Sequence, residues 1–76
     1  MERNRRVKRP ALTAREREVC VELRKGALNK EIGEALGISG GTVKFHLGNI
    51  FRKLNVRSRT LAAVVAGKLR GLRTED

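Results

Sequence analysis

Apolar residues recur at helical spacing along the chain. The sharpest group falls within about 60° of one another at 100° per residue, and it consists of Val43, Leu47, Ile50 and Leu54. Two shorter groups precede it and one follows: Val19, Cys20, Leu23 and Ala27; Ile32, Ala35 and Leu36; and Leu61, Ala62, Val64, Val65 and Leu69. No segment alternates between apolar and polar residues as a half-buried strand would. The pattern therefore predicts an all-α domain of four helices.

The start of each predicted helix has a residue that favours an N-cap. Thr13 and Glu16 stand three residues apart and predict a capping box for the first helix, in which each side chain bonds to the backbone of the other. The other predicted caps are short polar residues ahead of an apolar group, namely Asn29, Ser39 and Ser58. Gly26 is placed to end the first helix.

A three-residue turn, residues 37–39, joins the second helix, predicted over residues 30–36, to a third that ends near Leu54. This arrangement is typical of a helix-turn-helix. Gly37 permits the left-handed exit from the second helix, and Gly33 leaves room where the third helix approaches. The residues expected to fix the pair to the core are Ile32, Leu36, Ile38 and Val43.

The distribution of charge narrows the classes of partner that the chain could bind. The chain has 18 Lys and Arg against 8 Asp and Glu, a net charge of +10. No acidic residue occurs between Glu34 and Glu75, whereas that interval holds Lys44, Arg52, Lys53, Arg57, Arg59, Lys68, Arg70 and Arg73. Such a segment indicates a polyanion-binding surface. Nucleic acid is favoured over a membrane, because the chain has no Trp or Tyr to anchor it in lipid.

The two ends differ from the middle. Residues 1–10 are mostly basic and end at Pro10, so we expect either a flexible arm that follows phosphates or enters a minor groove, or a linker. Residues 11–71 are expected to form the helix-turn-helix domain, and residues 72–76 a frayed tail.

The residues also resemble a known family, the LuxR/GerE-type DNA-binding domains, over roughly residues 12–66. The resemblance rests on LTAREREV (12–19), NKEI (29–32), LGISGGTVKFH (36–46) and IFRKLNVRSR (50–59). It implies a bacterial, cytoplasmic transcription regulator that associates with the nucleoid when bound. Its expected partners are double-stranded DNA, a second copy in a homodimer paired through the fourth helix, and RNA polymerase; no cofactor, metal, small-molecule ligand or membrane is expected.

The outward face of the third helix is predicted to contact bases. It comprises Lys44, Phe45, Gly48 and Asn49. Lys44 suits guanine, Asn49 suits adenine or a phosphate, and Phe45 is either a chance exposed side chain or, as we favour, a contact to a thymine methyl group. In the resembled family the position of Gly48 often carries a polar or basic side chain, so glycine here puts one base contact in doubt.

Two further sets of residues are predicted to bind. Those placed for phosphates are Lys30, Thr42, Arg52, Lys53, Arg57, Ser58 and Arg59; Thr42 could use both its hydroxyl and its amide at a helix N-terminus. The broad apolar face of the fourth helix predicts dimerisation through Leu61, Val64, Val65 and Lys68, although part of that face could belong to the core.

The remaining chemistry-bearing residues favour structural roles. Cys20 lies on an apolar stripe and is interpreted as a core residue. His46 is expected to pack and to form a hydrogen bond near the turn, and Gly40-Gly41 lacks the context of a nucleotide-binding loop. We therefore predict a non-enzymatic, sequence-specific DNA-binding regulator. The alternatives are a low-specificity architectural DNA- or RNA-binding module and a protein-interaction domain whose charge serves only solubility.

Overall fold

The computed structural model describes residues 12–68, which form the four expected helices: α1 (Ala14–Arg24), α2 (Asn29–Leu36), α3 (Gly40–Leu54) and α4 (Arg59–Lys68). No strand occurs in this part of the chain, so the all-α prediction is confirmed. Within it, no helix has the length and apolar character needed to span a lipid bilayer. The predicted arm, the tail and Leu69 lie outside the described residues.

All four helices contribute to one core. Its buried members are Val19, Cys20, Val21, Leu23, Ile32, Val43, Leu47, Ile50, Leu54, Ala62 and Ala66. The apolar group of α3 is fully represented, as its spacing predicted. The α4 helix contributes only Ala62 and Ala66, and such small side chains let its backbone lie close to α1, its main neighbour. Burial also raises the pKa of the Cys20 thiol to about 11, in keeping with a packing role.

Three of the four predicted N-caps are confirmed. In α1, the Glu16 amide donates to Thr13 Oγ1 (3.1 Å) and the Thr13 amide donates to Glu16 Oε1 (2.9 Å). Ser39 Oγ accepts from the first turn of α3, and Ser58 Oγ accepts from the Leu61 amide at 3.1 Å in α4. These bonds satisfy backbone donors that have no partner within a helix.

The predicted cap of α2 is wrong by one residue. Leu28, not Asn29, is the N-cap: its backbone is extended and its amide donates to Glu31 Oε1 at 2.7 Å. Asn29 is already the first helical residue, and its side-chain oxygen accepts a hydrogen bond from Arg59 instead. Only the glutamate half of a capping box is therefore present: Glu31 accepts from the Leu28 amide, whereas Leu28 has no side-chain oxygen to accept from the first turn.

The turn between α2 and α3 passes very close to α2. Gly37 has φ 71°, the left-handed conformation expected of it, and the Ile38 amide donates to the Gly33 carbonyl oxygen at 2.9 Å. A Cβ atom on Gly33 would lie 2.6 Å from the Ile38 carbonyl oxygen. The sequence predicts this close contact with the third helix, whereas the approaching atom belongs to the turn. Gly33 thus lets the turn fold back on α2.

We predict that Gly33→Ala lowers the free energy of unfolding by about 1–3 kcal/mol, because the added methyl group meets backbone that must shift. Gly67→Ala is the matched control, since a Cβ there meets nothing within 4 Å and alanine favours the helix. Urea denaturation of both variants measures the difference. A Gly33→Ala variant as stable as the parent would show that the turn tolerates a side chain at that position.

Candidate nucleic-acid interface

The outward face of α3 is a continuous exposed surface on the side opposite its buried residues. Lys44, Gly48 and Arg52 are exposed, Asn49 is half-buried, and Phe45 has 66 % of its surface accessible. The structure thus brings together the four residues predicted to contact bases. Because Val43, Leu47 and Ile50 are buried on the other side, this face has a fixed direction relative to the core.

Phe45 is the most exposed of the large apolar side chains in the described residues. Its ring meets the His46 ring edge-on, with centroids 5.7 Å apart and planes at 64°, an arrangement that aromatic rings favour. His46 is half-buried as expected. The hydrogen bond predicted for His46 is not found among residues 12–68, and its ring contact is with Phe45 instead.

Arg52 and Asn49 form a pair on this face. The Arg52 guanidinium donates a hydrogen bond to Asn49 Oδ1. The bond orients the amide, so that its nitrogen remains as a donor while its oxygen is already engaged. A contact from Asn49 to adenine would need to share that oxygen with Arg52 or displace it.

The first turn of α3 uses Thr42 differently from the prediction. The Thr42 amide donates to Ser39 Oγ at 3.1 Å, and the Ser39 hydroxyl in turn donates to Thr42 Oγ1 at 3.0 Å. The amide is therefore committed to the helix cap and is not available for a phosphate in this conformation. The Thr42 hydroxyl keeps its own proton to donate.

Lys53 is bound within the protein. Its ammonium lies 2.8 Å from Glu16 Oε1, and the two side chains are only 21 % and 4 % exposed. Glu16 therefore serves both as the capping-box residue of α1 and as the partner of the last turn of α3. The prediction of Lys53 as a phosphate-binding residue overlooked this contact, because the two residues lie 37 positions apart. Nothing in their local sequence signals the pair.

Arg59 has a comparable internal role. Its guanidinium donates to Asn29 Oδ1 at 2.7 Å and to the Ala27 carbonyl oxygen at 2.6 Å. These bonds connect the start of α4 to the α1–α2 loop, at Ala27, and to the first residue of α2, Asn29. Two of its five donors are thus occupied, which orients the side chain and leaves the others for an additional acceptor. The separation of about 30 residues again hides the contact from sequence reasoning.

The other predicted residues are more accessible. Lys30 and Arg57 are exposed, and Ser58 is exposed while its hydroxyl oxygen caps α4. On α4, Leu61 is 51 % and Val64 50 % exposed, with Lys68 exposed and Val65 half-buried. The apolar face of α4 is therefore divided: Ala62 and Ala66 lie in the core, Val65 packs partly against it, and Leu61 and Val64 face outward.

Titratable groups in the described residues do not cluster for other chemistry. No group of three or more His, Cys, Asp or Glu side chains in residues 12–68 is placed to hold a metal ion. Cys20 and His46 also lie on different helices, with Cys20 fully buried. What the molecule presents is an exposed, basic helix face within a helix-turn-helix.

A fold of four helices with α2, a tight turn and an exposed α3 defines the helix-turn-helix class of DNA-binding domains. The family model for bacterial regulatory proteins of the luxR family, GerE, matches residues 10–66. The chain belongs to this family, whose members are DNA-binding transcription regulators and not enzymes. The resemblance found in the sequence is thereby confirmed.

Relatives in two organisms agree with this assignment. The chain is 53 % identical over 55 residues to the putative HTH-type transcriptional regulator YhjB of Escherichia coli, covering 72 % of this chain and 28 % of YhjB. It is 50 % identical over 60 residues to the E. coli nitrate/nitrite response regulator protein NarP, covering 79 % of this chain and 28 % of NarP. It is 58 % identical over 53 residues to the transcriptional regulatory protein LnrK of Bacillus subtilis, covering 70 % of this chain and 24 % of LnrK. The matched region thus spans less than a third of each of these relatives.

The shared carboxylate of Glu16 predicts a pH-dependent stability. Burial alone raises the pKa of Glu16, but bonds from Lys53 and Thr13 outweigh it and hold the pKa below the ordinary value of 4.5. A lowered native pKa means that the charged form stabilises the fold above about pH 4.5, and that this contribution is lost as pH falls through the native pKa.

We therefore expect Glu16→Gln to lower the free energy of unfolding at pH 7 by about 1–2 kcal/mol and to flatten its decline on acidification. Glu34→Gln, which removes an exposed carboxylate, is the control and should keep the parent profile. Urea titrations between pH 3 and pH 7 measure both. Parallel profiles for the parent and Glu16→Gln would contradict the assigned role of Glu16.

Proposed function

We propose that this domain binds double-stranded DNA in a sequence-specific way, with α3 in the major groove. The observation that carries the proposal is the exposed α3 face, where Lys44, Phe45, Gly48 and Asn49 point away from a core that fixes their direction. An α-helix fits the major groove, where each base pair offers a distinct set of donors, acceptors and methyl groups. Lys44 would donate to guanine O6 or N7.

Phosphate contacts would come from residues around this face. Lys30, Arg52 and Arg57 are exposed cations, and the hydroxyls of Thr42 and Ser58 each retain a proton to donate. Arg59 could add a phosphate through donors not used within the protein. We assign Lys53 mainly to holding α3 against α1, because its ammonium is paired with a buried carboxylate.

Regulation of transcription agrees with the family and with relatives named as transcriptional regulators, NarP and LnrK among them. RNA polymerase is the protein partner that such a function implies. A cytoplasmic location, at the nucleoid when DNA is bound, follows from the same proposal.

A homodimer on DNA is the second part of the proposal. Leu61 and Val64 are each half-exposed on α4, and Val65 and Lys68 flank them. Exposed aliphatic side chains next to one another on a helix are suited to pairing with a second copy. In a symmetric pair the same patch would face itself, so two α3 helices would contact two half-sites.

Lys44→Ala tests base recognition. We expect the parent to stay on a DNA site selected from random duplexes in the presence of excess competitor DNA, and Lys44→Ala to lose about 5- to 100-fold of that preference. Lys25→Ala is the matched control, because Lys25 caps the C-terminal end of α1 and its ammonium lies 3.4 Å from Glu22 Oε2. Competition binding gives the ratio of affinities. An equal loss on selected and random DNA would favour the low-specificity architectural alternative.

Val64→Glu tests the dimer. Pairing would bury the new carboxylate at the centre of the exposed α4 face, and the cost of that burial opposes the dimer. We therefore expect cooperative binding to a two-half-site duplex to disappear. Binding to a single half-site should not change, and it serves as the internal control for folding. Electrophoretic mobility of the two complexes distinguishes one bound copy from two. Intact cooperativity in Val64→Glu would move the pairing surface away from α4.

A further inference from the structure

Phe45 is unusual because glycines occupy two of the helix positions next to its side chain. In a helix, a side chain is flanked by those three and four positions away. For Phe45 two of these four positions, Gly41 and Gly48, have no side chain. The ring contacts the His46 ring edge-on, and 66 % of the Phe45 surface is accessible. A large apolar surface is presented to solvent on the face that the proposed function turns toward bases.

Gly48 in particular determines how much of this surface is open. Helical side chains lean toward the preceding turn, so a side chain at position 48 would lie over Lys44 and Phe45. The fold does not require glycine here: the backbone of Gly48 is not left-handed, and a Cβ would meet nothing within 4 Å. Gly33 and Gly37 differ from Gly48 in this respect. Neighbouring backbone leaves no room for a side chain at Gly33, and a positive φ favours glycine at Gly37. The packing of the protein itself therefore does not explain the empty space beside Phe45.

We infer that Phe45 and the space left by Gly48 receive the 5-methyl group of a pyrimidine. This inference rests on the proposed function, because it supposes α3 in the major groove. The methyl group on C5 is the apolar group that a base pair presents there, and the other groups on base edges are hydrogen-bond donors and acceptors. A phenyl ring packed on those polar edges would remove water from them without replacing its bonds. A methyl group has no such bonds to lose.

The same chemistry makes Gly48 a determinant of specificity. Without a side chain at position 48, the helix backbone can approach the base edges closely enough for Phe45 to cover a methyl group that stands only slightly above them. Thymine carries this group, and so does 5-methylcytosine. Lys44, in the preceding turn, would contact a neighbouring base pair.

The test uses duplex DNA selected by the full chain, with each thymine replaced in turn by uracil, which lacks only the methyl group. At one thymine per half-site we expect affinity to fall about fourfold, the effect of losing the burial of one methyl group. At that position, a second pair of duplexes carries cytosine or 5-methylcytosine opposite guanine. Tighter binding of the methylated duplex would show that either pyrimidine supplies the group, whereas equal binding would identify thymine as its source.

Three variants connect the effect to the residues. Phe45→Ala should bind the thymine and uracil duplexes equally. Gly48→Ala should bring their affinity ratio close to one while raising Tm by several degrees, because alanine is the better helix former. Gly67→Ala is the matched control: it also lies in a helix with open space around a Cβ, so it should raise Tm but keep the parent ratio.

The outcomes separate the inference from the proposed function. If the chain selects no sequence, or binds all duplexes equally, the proposed function fails and the inference fails with it. If it selects a sequence but no thymine-to-uracil change weakens binding, or Phe45→Ala keeps the parent ratio, only the methyl contact is overturned. If Gly48→Ala keeps the parent ratio, the assigned role of Gly48 is overturned.

Discussion

The third helix is held at both of its ends, and the direction of its exposed face depends on this constraint. At its start, the turn lies against α2 through the Ile38 amide and the Gly33 carbonyl oxygen, a contact that has no room for a Cβ. At its end, Lys53 reaches the buried carboxylate of Glu16 on α1. Between them, the apolar stripe of α3 is buried in the core. A helix fixed in this way presents its outward residues in one orientation before any partner binds, which lowers the ordering cost of binding.

Several polar residues whose type suits a phosphate also stabilise the fold. Arg59 joins α4 to the α1–α2 loop, and Ser58 and Ser39 cap helices. A net charge of +10 therefore overstates the number of cations free to approach DNA. The internal bonds would nevertheless favour the proposed phosphate contact, because an arginine oriented by two fixed acceptors loses less freedom when a further acceptor arrives. Stability and the proposed binding would thus depend on the same side chains.

What the sequence predicted correctly depends on short-range rules. The α3 stripe, the left-handed Gly37 and the capping box at Thr13 each involve residues within a few positions, and the structure contains all of them. The pairs that sequence reasoning missed, Lys53 with Glu16 and Arg59 with Asn29, connect elements about 30 or more positions apart. Asn55, which ends α3 with φ 58°, had a signal that was available, since asparagine tolerates the left-handed conformation. The residues predicted to contact bases follow from the helix period alone, but their targets do not, because a base contact depends on DNA geometry.

At Gly48, the stability of the helix and the proposed recognition of bases favour different residues. Other features of α3 strengthen the helix or fix it: Ser39 caps it, its stripe anchors it, and Asn55 ends it. Glycine in the middle of a helix weakens it by roughly 0.5–1 kcal/mol relative to alanine, and here no close atom or unusual dihedral offsets that loss. Sites that depart from the local rules of a fold are where function is expected to impose its own requirement. On the face beside Phe45, that requirement is open space, and space is the one property that a larger side chain would remove.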